Sequence, residues 1–229
     1  MRQWQRHFFY TKKSIKTTWK FRLGTLIVAI LIAIVTRGYW TARIGGSLVC
    51  TENPLPSDIL LLENFDPHYL VFERAAELQK AGFASRALVP VEASSDPAVA
   101  NSVSKGIADL MARQARMGTW ETLPILATEP ISLTAAFQIR DHLAREHVRS
   151  IIVVAPGFRS RRSSLVYRTV LREVVTRVSC TPVFGRTTPE RWMDTWHGIQ
   201  EVTEEFFKLQ YYRFYVIPFL SRSGAGRGV

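Results

Sequence analysis

Residues 153–168, VVAPGFRSRRSSLVYR, change periodicity within a few positions. Val153, Val154 and Ala155 extend the apolar pair Ile151-Ile152 and read as the end of a buried strand, which Pro156-Gly157 breaks. Arg159, Arg161, Arg162 and Arg168 then lie along the start of a helix. A continuous apolar strand feeding a helix is the repeating half-unit of a parallel sheet with helices packed over it. The guanidinium groups at the junction either hold an anion or form a solvated helix face.

Outward from this stretch the alternation continues. DILLLENFD (58–66) is an apolar run with a polar end, and HYLVFERAAELQKAG (68–82) is helical with Gly82 as a stop. RALVPVEASSD (86–96) reads as a second strand, and PAVANSVSKGIADLMARQARMG (97–118) as a helix carrying Val99, Val103, Ile107, Leu110 and Met111. TLPILATEPIS (122–132) reads as the third strand, before helix LTAAFQIRDHLAREH (133–147). RSIIVVAPGF (149–158) is the fourth, followed by the arginine-led helix to about Val178. CTPVFGRT (180–187) is the fifth, with Thr188-Pro189 as N-cap and first residue of a final helix. The pattern predicts an α/β fold: a Rossmann-like, doubly wound, mostly parallel sheet of about five strands over residues 48–217. The tail 218–229 reads as disordered.

The net charge of +11 does not make the chain a nucleic-acid binder. Residues 1–45 hold nine basic groups and no acid, and the rest carries 21 basic groups against 19 acidic, nearly neutral. Seven of those nine precede LGTLIVAILIAIVT (23–36), an uncharged apolar run. With its flanks Trp19, Phe21, Tyr39 and Trp40 this predicts one N-terminal transmembrane helix, a signal anchor over 23–42. The basic segment 1–22 is then cytoplasmic and the main domain extracytoplasmic, at the cytoplasmic (inner) membrane of a bacterial-type cell. A cleaved signal peptide is the alternative, though small residues are badly placed for cleavage; a buried soluble helix is the third. Cys50 and Cys180 both fall on the outer side, where they form one disulfide or remain two buried thiols.

Ligands of such sheets bind beyond the carboxyl ends of the strands. Those ends offer Glu63, Asn64 and Asp66; Glu92, Ser94, Ser95 and Asp96; Glu129, Ser132 and Thr134; and Arg159, Arg161 and Arg162. Arg161 and Arg162 sit about where a helix begins, and its free N–H groups favour an anion there. The acids offer salt bridges to the arginines, with Glu129 and Glu92 as partners. Arg168 and Arg172 read as an exposed face. There is no Gly-rich phosphate loop, G-x-S-x-G elbow, H-x-x-x-H pair or C-x-x-C, so neither a metal nor a cofactor is assigned. His197 lies near the rim but reads as a surface residue, and Trp192 and Trp196 as core.

In order along the chain, NPLPSDILLL, FERAAELQKAG, EPISLTAAFQIRDHL, IIVVAPGFRSRRSSLVY and WHGIQEVTEEFFKLQYY resemble the YdcF/SanA/ElyC-like family from about Val49 to Tyr212. The resemblance implies a Rossmann-like domain carried outside the membrane and acting in cell-envelope polysaccharide or peptidoglycan biogenesis. Its departures bear on chemistry. Family members carry glycines after strand one, where this chain has Glu63-Asn64-Phe65. Of the family's Ser-x-Asn-Thr-x-Glu-Asn, Thr134 takes the threonine position, Ala136 and Phe137 replace Glu-Asn, and Ser132 is one place off. The family histidine aligns with Arg159, with Phe158 and Arg162 at the tyrosine and arginine positions. A permanent cation there turns the position from acid–base work toward anion binding. The expectation is a protein that binds an anionic precursor, a phosphorylated or lipid-linked glycan. An enzyme acting on such a precursor, with Glu63, Asp66 or Glu129 as base, and a domain that docks membrane or envelope-biogenesis partners are the alternatives.

Overall fold

The computed structural model describes residues 18–51, 54–66 and 68–222. Most of the basic N-terminal segment, Asn53 of the resemblance, and residues 223–229 of the tail lie outside them. The chain divides into two compact units, Met1–Trp40 and Thr41–Val229.

In the first unit, helix α1 (Trp19–Val35) buries no residue: Leu26, Ile27, Leu31 and Ile34 are all exposed. It ends where Thr36 Oγ1 donates to the Ile32 carbonyl at 2.7 Å, a back-bond that bends helices. A second helix, α2 (Arg37–Gly46), follows. The run 23–42 is therefore broken rather than one helix. Among the described residues no single helix is long and apolar enough to cross a membrane; α1 and α2 meet that test only together, as a bent pair.

The second unit holds five parallel strands in the order β3-β2-β1-β4-β5: β1 (Ile59–Leu62), β2 (Arg86–Glu92), β3 (Thr119–Ile125), β4 (Ser150–Pro156) and β5 (Arg177–Val183). Asp58 fixes the β1–β4 register, its carboxylate accepting from the backbone N–H groups of Arg149 and Ser150 at 2.9 Å each. Alternate side chains feed two cores. Ile59, Leu61, Ile151 and Val153 meet helices α5 (Ile131–Arg145) and α6 (Ser160–Leu171). Leu60, Leu62, Ile152 and Val154 meet α3 (Tyr69–Lys80) and α4 (Ser102–Gln114) on the other face. Helices on both faces make the sheet doubly wound, with the order reversing between β1 and β4.

Several boundaries differ from the sequence reading. The third strand ends at Ile125, so Glu129 lies in a loop, and Ser132 and Thr134 in the first turn of α5. Helix α6 stops at Leu171, because β5 claims the chain from Arg177. The last long helix, α7 (Trp196–Tyr211), is capped by Thr195, whose hydroxyl accepts from Gly198 N–H at 3.1 Å, and not by Thr188. The chain then stays helical through a wider turn, Tyr212–Val216, and α8 (Ile217–Arg222), so 218–222 are not an irregular tail.

Of the two arrangements open to the cysteines, the disulfide is the one present, Cys50 to Cys180 with Cα atoms 6.3 Å apart. Beside it a third core cluster joins Leu48, Phe158, Trp192, Val202 and Leu209. Gly198 belongs to this packing: a Cβ there would lie 2.3 Å from the Trp192 carbonyl oxygen. Backbone cannot yield as a side-chain tip does, so Gly198→Ala is expected to cost about 1–3 kcal/mol. A urea midpoint equal to that of the wild type would contradict this.

Candidate functional site

The rim at the β1–β4 reversal is built from two chain exits. Glu63 follows β1 directly, and its N–H still donates to the Val154 carbonyl at 2.9 Å, which carries the carboxylate beneath the rim. Opposite it, β4 leaves through Gly157, where a Cβ would lie 2.1 Å from the Phe184 ring, and a single turn of 3₁₀ helix, Gly157–Arg159, precedes α6.

The amino end of α6 is occupied by the protein itself. Ser160 Oγ accepts from the Cys50 N–H at 3.0 Å and donates to the Gly157 carbonyl, while the Arg161 N–H donates to the Leu48 carbonyl at 3.1 Å. The Arg161 side chain points to solvent. The expectation that this helix end and Arg161 receive an anion is therefore corrected: the segment after α2 fills that position.

Arg162 turns inward. Its Nε and one terminal nitrogen donate to the two oxygens of Glu205 on α7, at 2.9 and 3.2 Å, and the other terminal nitrogen donates to Ser132 Oγ at 2.9 Å. Its guanidinium carbon lies 5.5 Å from the Tyr212 ring centre. Both side chains of the ion pair are 6% exposed. Arg162 is thus committed to an internal partner and not to a ligand.

Below it, the Ser163 hydroxyl donates to Glu63, which is almost wholly buried. Burial pushes the Glu63 carboxyl above its ordinary value, against the pull of Arg159, Arg162 and Ser163. Burial, followed by the charge of Glu63, holds the Tyr167 phenol well above its ordinary range, and its hydroxyl has no hydrogen-bond partner. A raised folded-state pKa means that the native chain keeps the Glu63 proton to higher pH than the unfolded chain does. Its contribution is full below about pH 4.5 and is lost as pH rises through the higher folded value. Glu63→Gln should remove that component, giving urea midpoints that fall less with rising pH; superimposable profiles would refute the assignment.

Arg159 lies between these buried charges and solvent. Its side chain is 19% exposed, and its nearest acids, Asp66 and Glu205, each lie at 3.6 Å, beyond hydrogen-bond reach. Its Nε is buried and makes no hydrogen bond. Arg159 lines a pocket of about 430 Å³ at the ends of β4 and β5, together with Asp66, His68, Arg186, His197 and Glu201.

The rest of the predicted set is dispersed. Asn64, whose amide donates to the Pro90 carbonyl at 3.2 Å, and Glu92 line a separate, mainly apolar pocket of about 320 Å³ with Phe65, Ile107 and Ile131. Ser94 and Asp96 bond within their own turn, and Ser95 and Glu129 are exposed. The acids beyond strands two and three therefore do not meet the arginines; the exposed Asp66 approaches Arg159, and Glu205 supplies the main opposing charge. Glu205, Ser163, Tyr167, Tyr212 and Arg186 were not anticipated from sequence. His197 does reach the rim, as an exposed residue of the pocket wall.

Ser163, the hydroxyl paired with a carboxylate, is buried away from the Arg159 pocket, whereas the groups facing the opening are cations, imidazoles and carboxylates suited to hydrogen bonding and charge pairing. No family model matches the chain, and no curated protein or solved structure is significantly similar to it.

Proposed function

We propose that the chain is a divergent YdcF-like, membrane-anchored protein of the cell envelope that binds an anionic precursor, phosphorylated or lipid-linked, through Arg159. The observation that carries this reading is the Arg159 guanidinium. It is largely covered and opens on a polar pocket, with an unbonded Nε and no acid within hydrogen-bond distance. A guanidinium that meets its neighbouring carboxylates only at 3.6 Å, and lines the pocket, can donate to a phosphate or carboxylate oxygen placed there. Arg186 on the same wall adds a second cation.

Two further features support the location. From Leu23 to Val35 helix α1 is uncharged and apolar on all sides and buries no residue, the pattern of a helix immersed in lipid. A buried disulfide suits an oxidising compartment. A reporter active only outside the cytoplasm, fused at the C-terminus, should therefore be active, with the protein in the membrane fraction. An inactive reporter would reverse the topology.

Binding is tested on the full chain in detergent, with N-acetylglucosamine 1-phosphate as probe. Arg159→Ala should weaken binding about tenfold or more, the worth of one charge-assisted hydrogen bond. Arg159→Lys should fall between, since the planar fork is lost while the charge remains. Arg172→Ala, whose side chain is 71% exposed, should bind like the wild type. Equal binding by Arg159→Ala and wild type would remove the basis of the proposal.

A further inference from the structure

Away from the rim, toward the amino ends of β2 and β3, four charged or titratable side chains converge. Glu121 projects from β3, Arg86 from the start of β2, and His142 and Glu146 come from the end of α5 at a spacing of four. His142 Nε2 lies 3.3 Å from Glu146 Oε1 and 3.6 Å from Glu121 Oε1, and the three ligand atoms all fall within 4.8 Å of one another. No hydrogen bond links them. His142 Nε2 and Glu121 Oε1 are both shielded from solvent and both lack a partner, so two unbonded polar atoms face each other across a small gap.

The two separations from His142 Nε2 are those of neighbouring ligands in a coordination shell. Zinc ligands at about 2.0–2.2 Å in a tetrahedron lie roughly 3.3–3.6 Å apart. Charge agrees with this. Arg86 bonds Glu146 through Oε2 at 2.5 Å, the oxygen turned away from the imidazole, and approaches Glu121 only at 3.6 Å. One guanidinium against two carboxylates leaves one negative charge of the pair without a cation from Arg86. The remaining oxygen of Glu146 and the free imidazole nitrogen are unused by Arg86, which acts as an outer partner orienting the glutamate.

We propose that Glu121, His142 and Glu146 form a divalent-cation site of the zinc class, with one nitrogen and two oxygen ligands and a fourth position for water. The site clamps the end of α5 to β3. Both cysteines of the chain are joined in the disulfide, so no thiolate competes for the metal.

The test uses the full chain in detergent, stripped of metal and titrated with ZnCl2 against a chromophoric chelator, with Co2+ absorption in the visible as a second readout. Wild type should take up one ion per chain at this site, and zinc should raise its unfolding temperature. His142→Ala and the near-isosteric Glu146→Gln should each weaken zinc about tenfold or more and abolish the thermal shift. Arg86→Gln should weaken zinc less than either ligand variant and keep a thermal shift, because it removes an orienting partner and no ligand. The rival arrangement is a protonated imidazole lying between two carboxylates. In that case wild type binds zinc no more tightly than His142→Ala and shows no thermal shift, and either result overturns the proposal.

Discussion

Glu205→Ala is expected to cost about 3–5 kcal/mol of stability, the range seen when one member of a buried ion pair is removed. Arg162 is buried to the same degree as its partner and gives two of its three nitrogens to Glu205. Without that carboxylate its charge is left with the Ser132 hydroxyl, the Tyr212 face and Glu63, whose carboxyl burial pushes above its ordinary value. Removing both charges together, as Arg162→Met with Glu205→Leu, should recover most of the loss, because the desolvation of the pair disappears with it. Lys208→Ala breaks the exposed pair with Glu204 one turn away and a longer approach to Glu205 at 3.8 Å, and should cost no more than about 1 kcal/mol. Urea unfolding of the three variants separates the cases. A loss near that of Lys208→Ala for Glu205→Ala would mean that the buried pair contributes no more to stability than an exposed one.

The second large effect concerns the disulfide. Cys50 and Cys180 are 130 residues apart in sequence, so the bond closes a long loop in the unfolded chain. Replacing both by alanine should cost about 2–4 kcal/mol. Cys180 is fully buried and Cys50 nearly so, and reductant should therefore act on the folded chain only once it opens. Thiol labelling of denatured, unreduced protein should find no free thiol, and two labelled thiols would reverse the expectation.

The sheet was legible because β1, β2 and β4 are short apolar runs between helical periods, and β1 and β4 are apolar on both faces. The composition of the site was half legible. Arg159, Arg162, Glu63 and Ser132 lie just past strand ends or in the first turn of a helix, where a reading of the rim looks for them. Their opposing charge was misplaced, because reading the rim strand by strand assigns the arginines the acids of neighbouring strands. Glu205 sits mid-helix, yet it had a signal: Gly198, Val202, Leu209 and Tyr212 make a buried stripe on α7 and the turn beyond, and Glu205 falls within it. A carboxylate inside an apolar stripe requires a buried cation. The outward turn of Arg161 was not legible, since it depends on Leu48 and Cys50 crossing the head of α6, a contact between segments more than a hundred residues apart. The convergence of Glu121 with His142 and Glu146 is hidden for the same reason: a strand residue and a helix pair are brought together only by the packing of α5 on the sheet.

The strand order also has a consequence during synthesis. β1, the first strand made, ends up in the middle, with β2 and β3 laid to one side before β4 and β5 are laid to the other. A nascent chain that has delivered β3 but not β4 carries β1 as a bare border, four apolar residues with one row of backbone donors and acceptors unpaired. Such a border invites the wrong neighbour, including the same half from another chain. Chains stalled before Ser150 should therefore aggregate more readily than chains stalled after Val183, where β4 has covered that border and β5 has covered β4 in turn.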